Sequence, residues 1–354
     1  MLHLIASLHA SDNHSADVFA DLAQTAERGR LDAVFLDDRL ALPEPGGAEG
    51  AHVGAVDGAG LEPLTLLSAI ATVTAHLGLI ASVSTTFSEP YPLARSLASL
   101  DHISHGRAGW SIGTGGGLEE AVNFNMDEPV DAAVRYERAA ELLDVVTQLW
   151  DSWADDAAGR RSRVREIEHT GLFFKVRGPL NVRRTPQGWP LLVHQASSSG
   201  DDMEFAARYA EVVFSTQRDV VSAAAFAREV KTRAAAYGRE PYLPLILPEV
   251  TALVASEGGP VVHRARRIAD VMQQWAEMGA ADGFTVRPAG LPGGFRAFVD
   301  QVVPELQRRG LFRTSYDGGT LRDRFGLPRP EDHFPLFETQ PLAQPVVWPA
   351  LAPV

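Results

Sequence analysis

The 354-residue sequence contains no cysteine. That excludes disulfide staples, thiolate metal sites and a cysteine nucleophile. Positive charge is scarce too: 32 Lys and Arg stand against 45 Asp and Glu, a formal net charge of −13. A surface this acidic repels nucleic acid phosphates and anionic lipid. The basic run "GRRSRVR", Gly159 to Arg165, adjoins "DSWADDAAG" and reads as a solvated excursion. No apolar run approaches the ~20 residues that span a bilayer. The N-terminal stretch "MLHLIASLHA" has no basic n-region and is broken by His3, so it reads as a first strand and not as a signal peptide. There is no H-x-x-x-H metal spacing and no G-x-S-x-G elbow. These absences fit a cytoplasmic enzyme, with neither nucleic acid nor membrane expected as partner.

What is present is an alternation. Eight short runs, most of them continuously apolar, read as strands buried on both faces. They begin at Leu2, Leu31, Leu77, Arg107, Trp189, Ala210, Tyr242 and Ala281. Amphipathic segments lie between them. One opens at Ser15, an N-cap residue, and puts Val18, Phe19, Leu22 and Ala26 on one face. Another runs from Glu62 to Gly78, read as its C-cap. Eight alternations favour an α/β fold of the (β/α)₈ TIM-barrel type over an open doubly wound sheet. The long connection Asp151 to Gln187 has room for a hairpin around "GLFFKVRGPLNV". The chain divides into one barrel domain, 1–325, and a Pro-rich tail, 326–354, that reads as an arm lying on its own or a neighbouring subunit.

The stretch "GWSIGTGGGLEE", Gly109 to Glu120, resembles a phosphate turn. As a dinucleotide fingerprint it fails: the third glycine position is Leu118, and the partner acid about twenty residues on falls near Arg135, in a helix. No Lys-Ser/Thr follows for a Walker loop. In a barrel the stretch ends the fourth strand, on the face where active sites are built. Other strand ends are polar as well: Asp37 and Asp38, Ser82 and Ser84 to Thr86, Ser111 and Thr114, and His194, Gln195 and Ser197 to Ser199. Ser199 precedes Gly200 and a helix. Unfilled N–H groups there suit an anion, and Ser199 suits an N-cap; the two are compatible.

Several motifs resemble the bacterial-luciferase-like flavin monooxygenases. They include "DAVFLDDRLAL" from Asp32, "PYPLARSLASLDHISHGRAGW" from Pro90, and "HTGLFFKVRGPLNVRRTPQG" from His169. The similarity extends from about Leu31 to Arg324. It is greatest to the branch of nitrilotriacetate, dibenzothiophene-sulfone, pristinamycin and long-chain alkane monooxygenases. The resemblance implies a luciferase-like barrel that binds FMN, as FMNH₂, at its C-terminal face. It implies O₂ as co-substrate and a separate NAD(P)H:flavin reductase. A C4a-(hydro)peroxyflavin would oxygenate a small or medium organic substrate, in a homo-oligomer, dimer or tetramer. It assigns Asp38, Ser82 and Thr114 to the flavin pocket, Tyr136 to the FMN phosphate region, and Ser198 and Ser199 to the phosphate. No catalytic side chain is implied.

The chain departs from the family pattern at four places: Ser111 replaces Asn, Gly115 replaces Ser, Ala132 replaces His and Ser197 replaces Gly. Around Ser256 to Gly258 the family's insertion between barrel strands seven and eight is reduced. These departures keep two alternatives open: a flavin-binding member with weakened or no oxygenase activity, and a deazaflavin-dependent relative.

Overall fold

The inward positions of the barrel strands are apolar toward one end and small or polar along the cleft at the other. The computed structural model describes residues 1–9, 15–42, 60–154, 164–252, 261–288, 291 and 293–331. In chain order the strands are β1 (His3–His9), β2 (Ala33–Asp37), β3 (Gly78–Ser84), β4 (Ala108–Gly113), β5 (His169–Thr170) and β6 (Lys175–Val176). They continue with β7 (Leu191–Ala196), β8 (Val212–Ser215), β9 (Leu245–Ala252) and β10 (Gly283–Pro288). Eight of them form a closed parallel barrel in the order β1-β10-β9-β8-β7-β4-β3-β2. The eight barrel strands are those read from the sequence. β5 and β6 pair antiparallel as the small hairpin in the long connection.

The helices are α1 (Ala16–Arg28), α2 (Pro63–Ala71), α3 (Pro90–Ile103), α4 (Leu118–Ala121), α5 (Ala132–Trp150) and α6 (Gly200–Tyr209). α7 (Val220–Ala236), α8 (Val261–Glu277), α9 (Gly293–Ala297), α10 (Val303–Arg308) and α11 (Leu321–Arg324) complete the set. Two boundaries differ from expectation. α2 stops at Ala71, because the freed carbonyls of Ala71 and Thr74 accept from the buried Arg107 guanidinium at 3.0 Å each. Gly78 is therefore no C-cap. It opens β3, where a Cβ would meet Leu321 at 2.5 Å and the Asp32 carbonyl at 2.8 Å. Ser15 precedes α1 as expected, but its side chain makes no capping bond.

Two apolar layers result. Leu4, Leu8, Val34, Leu36 and Leu79 face outward against the helices. Ile5, Phe35, Ile80, Leu191, Val193 and Leu247 fill the barrel interior. The N-terminal end of that interior is closed by Leu321, Phe325 and Leu327, all buried. Arg322 secures the plug: its guanidinium donates to both Glu211 carboxylate oxygens and to the Pro328 carbonyl. The packed chain thus continues past 325, and the Pro330 carbonyl accepts from Arg184 at 2.6 Å. The tail assigned to 326–354 falls from residue 332 onward outside the described residues, as does the link 253–260 between β9 and α8.

Candidate active site

In a parallel ladder, residues in register share a face, so the interior can be followed upward row by row. Ile80 registers with Gly109, Ser82 with Ser111, and Ser84 with Gly113. Ile80 belongs to the interior core, so Ser82 and Ser84 face the barrel axis one and two rows above it. The row above Ile80 and Gly109 is small and polar on both strands, Ser82 beside Ser111, and the next is Ser84 beside Gly113. Above that wall opens a cleft of about 240 Å³, lined by Asp37, Asp38, Ser82, Ser111, Thr114 and Glu120 among others.

The glycine-rich stretch is pinned from β3. The Thr85 hydroxyl donates to the Gly113 carbonyl at 2.8 Å, and the Thr86 hydroxyl to the Gly115 carbonyl at 2.6 Å. Of the glycines after β4, Gly116 is the one at which a side chain would have to displace a neighbour, Arg135. A Cβ there would lie 2.5 Å from Arg135 Cδ, whereas around Gly117 there is open space. The stretch is a held wall.

Asp38 is the perturbed acid of the cleft. Its pKa is pushed up to about 6, first by burial and then by the charges of Glu62, Asp37 and Glu120, against a bond from the Arg39 backbone. Desolvation and like charge both disfavour the ionised form. This carboxyl changes protonation near neutrality.

Tyr136, on the second turn of α5, donates its hydroxyl to Asp202 Oδ1. Thr114 lies within hydrogen-bonding reach of the same hydroxyl. Burial and Asp202 together push the phenol up to about 12, so it remains a proton donor. Asp202 also accepts from the Ser197 amide at 3.1 Å and from the Ser197 hydroxyl. His194 Nε2 stands 3.5 Å from Asp202 Oδ1, while Nδ1 lies 2.9 Å from the Ile112 carbonyl. Burial alone would raise the Asp202 pKa, but His194, Ser197 and Tyr136 outweigh it and hold the carboxyl well below its usual range.

The sequence-derived residues therefore fall in two groups. Asp38, Ser82 and Thr114 line one cleft. Tyr136, Ser198 and Ser199 gather beyond Thr114, around the start of α6. Ser198 Oγ accepts from Gln217 Nε2 at 2.8 Å. Ser199 is the N-cap of α6, its hydroxyl accepting from the Asp202 amide at 3.2 Å. Asp202 itself was not singled out in the sequence. An acid in a helix first turn reads as a partner of the helix dipole. Only the fold brings it to Tyr136.

An FMN can be tested against these residues. The cleft suits the ring end, with hydroxyls and carboxyls along a wall of small side chains. The phosphate end does not fit as it stands. Two donors around that seat, Tyr136 and Ser197, are already engaged by the Asp202 carboxylate, which brings negative charge there, while the Ser198 and Ser199 hydroxyls accept from Gln217 and from the Asp202 amide and keep a proton to give. Among the described residues, no cluster of three His, Cys, Asp or Glu could hold a metal ion, and no helix is long and apolar enough to cross a membrane.

Comparison with known proteins agrees with this architecture. Residues 2–305 match the model of the luciferase-like monooxygenase family. The chain is 38% identical to nitrilotriacetate monooxygenase component A of Aminobacter aminovorans over 421 aligned positions, covering 91% of this chain and 93% of that protein. It is 36% identical to the N-acetyl-S-(2-succino)cysteine monooxygenase of Bacillus subtilis (strain 168) over 410 positions, covering 90% and 91%. Among solved structures, the EDTA monooxygenase of Chelativorans sp. BNC1 superposes with a TM-score of 0.83 at 28% identity, covering 93% of this chain and 99% of that one. Both sequence alignments run over more positions than this chain has residues, so the relatives carry segments that it lacks.

Proposed function

The chain belongs to the luciferase-like monooxygenase family, and from that premise we propose that it is the oxygenase component of a two-component flavin system. In this reading an NAD(P)H:flavin reductase delivers reduced flavin to the cleft above β2, β3 and β4. The bound flavin supplies the electrons that activate O₂, with one oxygen atom entering a small or medium organic substrate and the other leaving as water. The observation that carries the reading is the polar, small-residue cleft at the carboxyl ends of the strands, in a chain of this family.

The chain's own residues have three tasks. Ser82, Ser111 and Thr114 offer hydrogen bonds along one wall and orient a flat ring against it. Asp38, titrating near 6, holds or releases a proton at the cleft. The apolar floor of Phe35, Ile80, Leu191 and Val193 keeps water from reaching the site through the barrel.

A second reading, a flavin-binding member with weakened or no oxygenase turnover, is favoured by the engagement of Tyr136 and Ser197 with Asp202. One experiment separates the two. The protein is mixed anaerobically with reduced flavin, then with oxygen, and reoxidation is followed by absorbance. An oxygenase gives resolved phases, slower than free reduced flavin, and places ¹⁸O from ¹⁸O₂ in an organic product. Reoxidation in one phase at the rate of free flavin would overturn the proposal.

A further inference from the structure

The cluster around Asp202 decides more than a weakened phosphate seat. Its donors converge from three elements: Tyr136 from α5, Ser197 from the end of β7 and His194 from within β7. Its acceptor is a side chain of α6. His194 is 1% exposed, and its Nε2 has no hydrogen-bond partner of good geometry, being aimed at Asp202 from 3.5 Å. Among the described residues it is the basic group within 4.0 Å of that carboxylate; no lysine or arginine pairs with Asp202. Arg135, next to Tyr136, turns away and donates to the Val130 carbonyl at 2.7 Å.

An ionised carboxylate is an acceptor without a proton to give. A phosphate monoester at neutral pH is likewise acceptor-only and carries up to two negative charges. Placed beside Asp202 it meets like charge. To bind Tyr136 and Ser197 it would have to strip a half-buried carboxylate of its donors, which leaves that charge uncompensated. An alcohol is different: it donates one hydrogen bond to a carboxylate and brings no charge. A polyol ending in a hydroxyl can share the Asp202 oxygens with Tyr136 and Ser197 and adds no charge beside the carboxylate. The exclusion is a repulsive element built into the site, the device by which one of two similar ligands is rejected.

We propose that this chain carries its own anion in the phosphate seat, and that it selects a flavin whose side chain ends in a hydroxyl, riboflavin, over the phosphorylated flavin. The inference rests on the flavin reading above and refines the form of flavin taken. Asp202 is the specificity-determining residue, Tyr136 and Ser197 are its positioning residues, and the terminal ribityl hydroxyl is the group it accepts from. Asp201, one residue earlier and exposed, adds negative charge at the same helix end without joining the network.

The test is a pair of anaerobic titrations of the full chain with reduced riboflavin and reduced FMN, repeated with the oxidised forms. The expected result is tenfold or more tighter binding of riboflavin than of FMN by the wild type. Asp202→Asn keeps an acceptor for Tyr136 but removes the charge, and should cut that preference by tenfold or more, chiefly by tightening FMN. Asp201→Asn should move it by less than threefold. Tighter binding of FMN than of riboflavin by the wild type overturns the inference and leaves the flavin reading standing; this arm requires no variant to fold. An unchanged preference in a folded Asp202→Asn protein overturns it equally. Failure to bind any flavin overturns the flavin reading and the inference with it.

Discussion

A single carboxyl shows how the cleft is tuned. Asp38 is pushed up to about 6 by burial and by the acids around it, so above that pH the fold carries an ionised, partly desolvated group it would rather keep neutral. The sign follows from linkage. With the folded pKa above the unfolded one, the penalty is absent at low pH and fully present above about 6. Asp38→Asn should therefore raise the melting temperature at pH 7.5, raise it less at pH 5, and leave it nearly unchanged at pH 3, below the ordinary aspartate range, measured by paired thermal melts. An equal gain at all these pH values would contradict the assignment. The position of Asp38 was legible in the sequence, since an acid closing a buried strand has no apolar reason to be there. Asp202 was not. Its partner Tyr136 is 66 residues away, and nothing in either neighbourhood announces the contact.

The hairpin illustrates what an element needs besides its own residues. β5 and β6 are two residues each and could not hold a turn alone. Glu141 on α5 supplies the clamp. Its carboxylate accepts from the amides of Leu172, Phe173 and Phe174 at 3.0, 3.0 and 2.8 Å, and lies 3.1 Å from His169 Nε2. Burial works against the charge, but these donors outweigh it and lower the Glu141 pKa. The clamp is accordingly at full strength above the ordinary glutamate range and is lost as pH falls through the lowered value. Glu141→Ala should cost about 2 kcal/mol. The change should appear as a lower urea midpoint and as faster hydrogen exchange at amides 172–174. Unaltered exchange there would show that the hairpin holds itself. From the sequence, the hairpin could be located by its turn but not its support. Likewise the end of α2 was misplaced, because Arg107, which takes its last carbonyls, comes from the neighbouring β4 connection.

The molecule as a whole is a tube with unlike ends. The repeat of eight apolar runs made the barrel legible, because strands buried on both faces have little freedom of composition. The polar residues at the carboxyl ends of β2, β3, β4 and β7 pointed to the functional mouth. The closure of the other end was hidden, since α11 is only four residues long and carries a single plug residue, Leu321, within it. Phe325 and Leu327 follow it into the barrel, and both pack against the interior core. Phe325→Ala should cost about 3–5 kcal/mol, the usual range for emptying such a site. Equilibrium denaturation measures it, and a loss under 1 kcal/mol would mean the floor closes without it.

That closure also sets an order of events. β1 is made first, yet one of its two neighbours is β10, with His3 beside Gly283, and the plug comes later still. At ribosomal speeds the N-terminal strand waits roughly a quarter of a minute to a minute for its second partner. Until then one edge of a strongly apolar strand is bare and the barrel has no floor. The newborn chain is therefore most vulnerable to aggregation until β10 and the plug have emerged, and in a cell-free system a chaperone should engage chains arrested before β10 and let go of those extended past Leu327.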